Sequence, residues 1–171
     1  MNFWIERKNS SLRRVLADVD MVFIDEGEAR EFASEFNLVK CARQISELGP
    51  SIVVIKRGEH GAMLFHSGSV FAVTAFPLEN AVDPTGAGDS FAGGVMGYLA
   101  STGDLSPGGL RRAIAAGSVM GSFAVESFSV DRVASLEPIE IDARFREFTE
   151  LSRFEPLEKG ASVASRSTAS R

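Results

Sequence analysis

The sequence predicts an α/β fold in which a mainly parallel sheet is flanked by helices. Two largely apolar runs, residues 21–24 and 51–56, are bounded by polar residues or turn residues, which is typical of strands buried on both faces of a parallel sheet. Apolar residues at helical spacing lie between these runs, so strand and helix alternate as they do in a β-α-β unit. Further on, a glycine-rich turn at residues 86–88 leads into another helical pattern.

Helices and one hairpin complete the predicted order of elements. Apolar residues at helical spacing predict helices at residues 10–17, 29–36, 39–48, 89–100, 110–126 and 139–148. Ser10 or Ser11 caps the first helix, Gly49-Pro50 ends the third, and Pro107 suits the start of the fifth. Two short apolar segments, 62–66 and 70–73, predict a hairpin at the margin of the sheet.

Two features of the later helices carry expectations about packing. Gly93, Gly94 and Gly97 lie inside the helix that follows the glycine-rich turn, and each costs about 1 kcal/mol relative to Ala. Their accumulation predicts that this helix packs closely against the sheet or a neighbouring helix. In the last helix, Arg144 and Arg146 are expected on the solvated face.

Composition indicates one domain with a substantial core. The chain has 171 residues, 44% of them hydrophobic, which is enough for a single buried core. A formal net charge of −5 argues against general attraction to nucleic acid or to an anionic membrane. The first residues lack an apolar run long enough for a signal peptide or a membrane span. The single cysteine, Cys41, excludes an internal disulfide framework and suits a reducing, cytoplasmic location.

The strongest functional signal is the stretch NAVDPTGAGDSFAGG at residues 80–94. Pro84 stops any earlier element, and Gly86 and Gly88 permit backbone angles that other residues resist. A turn of small residues therefore leads into a helix start, whose unpaired backbone N–H groups and positive dipole end favour an anion. Asp89 is unexpected at such a place, and it is either a helix cap or a base that serves the chemistry there.

Two common glycine-loop signatures do not fit this stretch. A Walker loop needs Lys followed by Ser or Thr after its last glycine, where this chain has Asp89-Ser90. The dinucleotide fingerprint needs its third glycine at the position of Phe91. The stretch instead resembles the second signature of the ribokinase-like PfkB family of sugar and nucleoside kinases.

The resemblance implies ATP-dependent phosphoryl transfer, with Mg²⁺, to a hydroxyl group of a sugar or nucleoside. In that reading Gly86, Ala87 and Gly88 form an anion hole for the transferred group, and Asp89 is the base. It also implies that Asp83 and Thr85 belong to the cofactor-binding site.

Three other segments resemble the family, each with a structural alternative. Asp25 and Glu28 fall where relatives carry an Asn-x-x-Glu element near the magnesium. Without the resemblance, Glu28 is better explained as a first-turn helix acid. The turn that carries Lys56, Gly58 and Gly61 falls beside the nucleotide in relatives, or it is an ordinary tight turn. The helix at 110–126 flanks the adenine pocket in relatives, which implies a base lying against Ala116 or Gly117. Tight packing between helices explains the same small residues.

The resemblance covers nearly all of residues 1–158 but only the C-terminal half of a relative. We expect residues 1–158 to be the folded portion and residues 159–171, rich in Ser, Ala and Arg, to be a disordered tail. An alternative to the kinase reading is a non-catalytic nucleotide- or phosphate-binding fragment, or a degenerate paralogue. Half a sheet leaves an apolar strand edge and helix-facing surface exposed, which favours association, as in a homodimer, or partial disorder.

Overall fold

A four-stranded sheet with helices on both faces forms the centre of the fold. The structure, a computed structural model, describes residues 2–159 and 161–163. The strands are β1 (Met21–Asp25), β2 (Ile52–Lys56), β3 (Ala62–His66) and β4 (Ser69–Val73), and they pair in the order β1-β2-β3-β4. The helices are α1 (Asn2–Arg7), α2 (Asn9–Leu16), α3 (Glu26–Ala33), α4 (Leu38–Ser46), α5 (Ala87–Thr102), α6 (Pro107–Ala124), α7 (Asp131–Ala134) and α8 (Pro138–Leu151).

The predicted α/β class is confirmed, and the described sheet is mixed. The β1–β2 pair is parallel, whereas β2–β3 and β3–β4 are antiparallel. The antiparallel part is the hairpin that the sequence predicted at the sheet margin. Within the described residues β1 pairs with β2 alone, so the other edge of β1 is open.

The sheet separates two hydrophobic cores. Side chains alternate along a strand, so Ile52 and Val54 of β2 face a core formed with α5, α6 and α8. Val53 and Ile55 face a second core formed with α1 to α4. This two-sided burial is the physical reason for the continuous apolar run at residues 52–55.

The helix predicted at residues 29–36 begins and ends three residues earlier than expected, with Glu26 as its first residue. It ends at Ala33, and Ser34 takes a left-handed conformation with φ 49°. The Glu35 carboxylate then accepts hydrogen bonds from the backbone N–H groups of Phe36 and Asn37, and Asn37 caps α4. Phe36 consequently lies outside the helix with 85% of its surface exposed, because local turn chemistry prevails over apolar spacing.

Close packing of the glycine-rich helix α5 involves one of its three interior glycines. A Cβ on Gly94 would lie 2.7 Å from the Met120 Cγ of α6, whereas a Cβ on Gly93 or Gly97 would meet no heavy atom within 4 Å. Gly117 and Gly121 of α6 also lie close to α5 at this interface.

The prediction for Arg144 is wrong, while Arg146 is exposed as expected. The Arg144 side chain is 16% exposed, because α6 presents an acceptor and an aromatic ring to it. The short helix α7 lies within the segment 127–138, where no element was expected. None of the helices in the described part of the chain is long and apolar enough to cross a bilayer. Most of the predicted tail lies outside the described residues.

Candidate active site

A cleft of about 680 Å³ lies beside the C-terminal ends of the parallel strands. Asp25 and Lys56 are register partners at the ends of β1 and β2, and both line the cleft. The turn after β2, the first turn of α5 and one face of α6 form the other walls. In open α/β sheets, ligands bind outside the carboxyl ends of the strands, so the fold places this cleft where a ligand is expected.

The Lys56 ammonium lies against the first turn of α5. Its Nζ is 3.4 Å from Asp25 Oδ1, and a Cβ on Gly88 would lie only 2.6 Å from the same nitrogen. The Lys56 side chain is 19% exposed, whereas the Asp25 side chain is 57% exposed. A cation beside the positive end of a helix dipole is electrostatically unfavourable. An anion bound between them would relieve this repulsion.

The glycine-rich turn is held in shape by Asp83. Gly86 takes the left-handed conformation with φ 82° at the N-cap of α5, and Asp83 Oδ1 accepts a hydrogen bond of 2.9 Å from the Thr85 backbone N–H. Hydrogen bonds from the backbone and side chain of Thr85, and from the Ser129 backbone, hold the pKa of Asp83 below its ordinary value. Asp83 is therefore ionised, and its carboxylate is already used in hydrogen bonds that hold the turn.

Asp89 lies in the first turn of α5 and is exposed. Gly86 holds the N-cap position of this helix, so Asp89 is not the N-cap residue. Its neighbours Ala87 and Gly88 line the cleft. The base role of Asp89 stays a prediction.

Asp25 and Glu28 lie together at the start of α3. Asp25 is the N-cap residue, and its backbone N–H donates to Glu28 Oε2 at 3.3 Å. This contact agrees with the helix-start alternative for Glu28. Within the part of the chain that the structure describes, no group of three or more His, Cys, Asp or Glu side chains is arranged to hold a metal ion. A magnesium role for Asp25 and Glu28 stays a prediction.

Both glycines of the turn after β2 have a positive φ, 55° for Gly58 and 89° for Gly61. A Cβ on Gly61 would lie 2.0 Å from the Val73 carbonyl oxygen, so the end of β4 requires a glycine there. Immediately before Gly58, the Arg57 Nε donates to Glu26 Oε2 at 2.9 Å, which ties the turn to the start of α3. No pattern in the sequence predicts this last contact.

Comparison with known proteins identifies the family. The model of the pfkB family of carbohydrate kinases matches residues 2–135. The chain belongs to this family.

Individual pfkB-family relatives are kinases of different acceptors. The chain is 38% identical to a cytidine kinase of Thermococcus kodakarensis over 95 aligned residues. The aligned region covers 54% of this chain and 34% of that kinase. A nucleoside kinase of Burkholderia thailandensis, solved in complex with inosine, has a TM-score of 0.65 and 26% identity, covering 86% of this chain and 46% of that one. Aminoimidazole riboside kinase from Salmonella enterica, solved with aminoimidazole riboside and an ATP analog, has a TM-score of 0.73 at 22% identity. The match covers 82% of this chain and 46% of that one. The chain thus spans less than half the length of these relatives.

Two residues that the pfkB resemblance places near adenine pack between helices. A Cβ on Gly117 would lie 2.6 Å from Val95 Cγ2 and 2.8 Å from the Phe91 carbonyl oxygen. The Ala116 carbonyl oxygen lies close to Gly94 of α5. The α6 residues that line the cleft are instead Ser118, Gly121, Ser122 and Val125. This arrangement agrees with the packing alternative, and a base contact at Ala116 or Gly117 stays a prediction.

Sequence reasoning missed the far wall of the cleft. Phe76 and Ser122 line it, and Arg144 lies behind both, with its guanidinium 5.1 Å from the Phe76 ring centroid and Nη1 3.1 Å from Ser122 Oγ. These residues are far apart along the chain, so no local pattern joins them. From sequence alone, an arginine on the polar side of an amphipathic helix is predicted to face solvent, because the element that packs against it is not known.

Proposed function

We propose that the chain is the nucleotide-binding portion of a kinase that uses ATP and Mg²⁺ to phosphorylate a hydroxyl group of a small molecule. The observation that carries the proposal is the Lys56 ammonium lying against Gly88 at the start of α5. This cation, which pairs with Asp25 on one side, and the helix N–H groups together present hydrogen-bond donors and a positive charge to the cleft. The ligand that best matches such an arrangement is a polyphosphate.

The relatives favour a nucleoside as the acceptor. The matched curated kinase is named for cytidine, and two solved neighbours hold inosine or an imidazole riboside. These ligands share a ribose joined to a nitrogen heterocycle. A sugar acceptor is the alternative within the same chemistry, because the pfkB family is one of carbohydrate kinases.

In the proposed reaction, the acceptor oxygen forms a bond to the γ-phosphorus while the bond from that phosphorus to the β–γ bridging oxygen breaks. Asp89 takes the proton of the acceptor hydroxyl, and ADP leaves with the bridging oxygen. The backbone N–H groups of Gly86 and Gly88 would neutralise the charge on the phosphoryl oxygens, together with Lys56. The Ala87 N–H donates to the Pro84 carbonyl oxygen at 3.2 Å, so it would take part only by sharing or leaving that bond. Asp83 and Thr85 would keep the turn in the conformation that exposes those groups.

Asp25 and Glu28 are the carboxylates that would hold Mg²⁺. Two carboxylates fit this ion, which usually takes one or two together with phosphate oxygens and water. The bound ion would neutralise phosphate charge. The exposed Asp25 carboxylate also lies 3.4 Å from the Lys56 Nζ.

A second candidate function is nucleotide or phosphate binding without catalysis. It requires only the cleft with Lys56 and the start of α5, and it needs no base. We also propose a cytoplasmic location, on the single Cys41, and self-association through the open edge of β1.

Isothermal titration with ATP and Mg²⁺ tests the proposal. We expect Lys56→Met to weaken binding about tenfold or more, the worth of a hydrogen bond to a charged group. Lys40→Met is the matched control, because Lys40 is an exposed lysine on α4 that pairs with Glu35. Equal binding by Lys56→Met and the wild type would contradict the proposal. Binding without turnover in a coupled assay against nucleosides and sugars would support the second candidate function.

A further inference from the structure

Arg144 of α8 is a half-buried cation with contacts on the outer side of the cleft wall. Its Nη1 donates to Ser122 Oγ at 3.1 Å and its Nη2 to Glu126 Oε1 at 2.5 Å. The guanidinium carbon lies 3.5 Å from the ring centroid of Phe123 and 5.1 Å from that of Phe76. Arg144 therefore joins the end of α6 to the segment that carries Phe76.

Two of these contacts reach residues that line the cleft. Phe76 and Ser122 both face it, and the Ser122 hydroxyl proton is donated to the Val119 carbonyl oxygen at 2.7 Å. The hydroxyl therefore accepts from Arg144 while it donates within α6, which leaves one orientation for the side chain. Phe76 also stacks with Phe148, with the two ring centroids 6.4 Å apart.

A third contact reaches the glycine-rich turn. Glu126 follows Val125, whose carbonyl oxygen accepts a hydrogen bond of 2.7 Å from the Val82 backbone N–H and a longer one of 3.4 Å from Asp83. Asp83 in turn holds Thr85. Glu126 is held by charge-assisted hydrogen bonds from both Arg144 and Arg132, whose Nε lies 3.1 Å from Glu126 Oε2. Its position is passed along the backbone to the turn at the start of α5, and Arg144 also joins it to Ser122 and Phe76.

Packing alone does not require an arginine here. A buried ion pair often contributes no more to stability than apolar side chains of the same volume, so a methionine would fill the space beside Phe123. What it could not do is donate to Ser122 and Glu126 together. The match to the family model ends at residue 135, so α8 adds this support from outside the matched region.

We propose that Arg144 is a positioning residue of the nucleotide cleft: it orients Phe76 and Ser122 in the wall and, through Glu126, fixes the turn that precedes α5. The part that concerns the nucleotide rests on the proposed function. The part that concerns the turn does not, because the contacts are present without ligand. Arg144 acts through its neighbours and has no contact with the reacting groups.

The test compares Arg144→Met with Arg146→Met, an exposed arginine on the same helix. Amide hydrogen exchange of the unliganded protein is measured at Val82 and Asp83, and the dissociation constant for MgATP is measured by titration. We expect Arg144→Met to speed exchange at both amides and to weaken MgATP binding, each about tenfold, as expected for loss of a hydrogen bond between charged groups. Exchange inside α5 should be unchanged. A general loss of stability would instead speed exchange in α5 as well.

Each result decides one part. Wild-type exchange at Val82 and Asp83 in Arg144→Met overturns the positioning role, whatever the nucleotide does. A wild-type chain that fails to bind MgATP overturns the proposed function, and the exchange rates then decide the role of Arg144 in the turn. If Arg144→Met does not fold, Arg144→Lys replaces it, since a lysine keeps the charge but not the forked donation. Exchange in Arg144→Lys equal to the wild type would overturn the proposal.

Discussion

Replacing Gly117 by Ala tests how closely α5 and α6 pack beside the cleft. The new Cβ would lie 2.6 Å from Val95 Cγ2, 2.8 Å from the Phe91 carbonyl oxygen and 3.2 Å from Phe91 Cδ2. Ordinary contacts between carbon atoms are about 3.5 to 4.0 Å. Because a backbone oxygen cannot rotate away, we expect the two helices to separate.

The expected cost follows from two opposing effects. Overpacking a core typically costs about 1 to 3 kcal/mol, and the backbone contact places Gly117→Ala near the upper end of that range. Alanine in a helix interior regains about 1 kcal/mol relative to glycine. The net loss is therefore about 2 kcal/mol in the free energy of unfolding, which lowers Tm by roughly 4 to 8 °C for a domain of this size.

Gly97→Ala is the matched control on the facing helix. Its Cβ would meet no heavy atom within 4 Å, so only the helix-propensity gain remains, and we expect about 0.5 to 1 kcal/mol of added stability. Urea denaturation followed by circular dichroism gives both values. Gly117→Ala as stable as the wild type would refute the close contact. Loss of MgATP binding by Gly117→Ala at unchanged stability would instead support the base contact at this residue.

Three further predictions concern the base, the last helix and the sheet edge. Asp89→Asn, assayed in a form that shows turnover, should slow phosphoryl transfer by about 10²- to 10⁴-fold, the usual worth of a positioned base; near-normal turnover would remove Asp89 from that role. The Arg132 guanidinium and the Glu137 backbone N–H hold the pKa of Glu140 below its ordinary value of 4.5. The stabilising effect of Glu140 is therefore complete above pH 4.5. It is lost as the pH falls through the lower pKa of the folded state. Thermal melts from pH 7 to pH 3 should accordingly show a shallower acid decline for Glu140→Gln than for the wild type, and parallel curves would contradict this. Because the described residues leave the far edge of β1 open and Phe3 and Trp4 about half exposed, size-exclusion chromatography should show association that increases with concentration; a monomer at every concentration would argue against it.

The sequence by itself determined the features that depend on neighbouring residues. The strand at β2 follows from its apolar run, and the helix start after residues 86–88 follows from its glycines and Pro84. The family resemblance rests on the same local stretch. Phe36 shows the limit of this reasoning even over a short range, because the Glu35 carboxylate and the Asn37 cap ended the helix before the last apolar position of the pattern.

Only the tertiary structure decided which distant residues meet at the cleft. Lys56 reaches Gly88 because β1 and β2 are parallel and end beside α5, and Gly117 faces Val95 because α5 and α6 cross closely. Arg144 is the clearest case. The polar side of an amphipathic helix is solvated only where no partner covers it, and Glu126, Ser122 and Phe123 of a separate segment cover it here. Periodicity reports which face of a helix is apolar, but charge and ring complementarity between helices depends on how they pack in three dimensions.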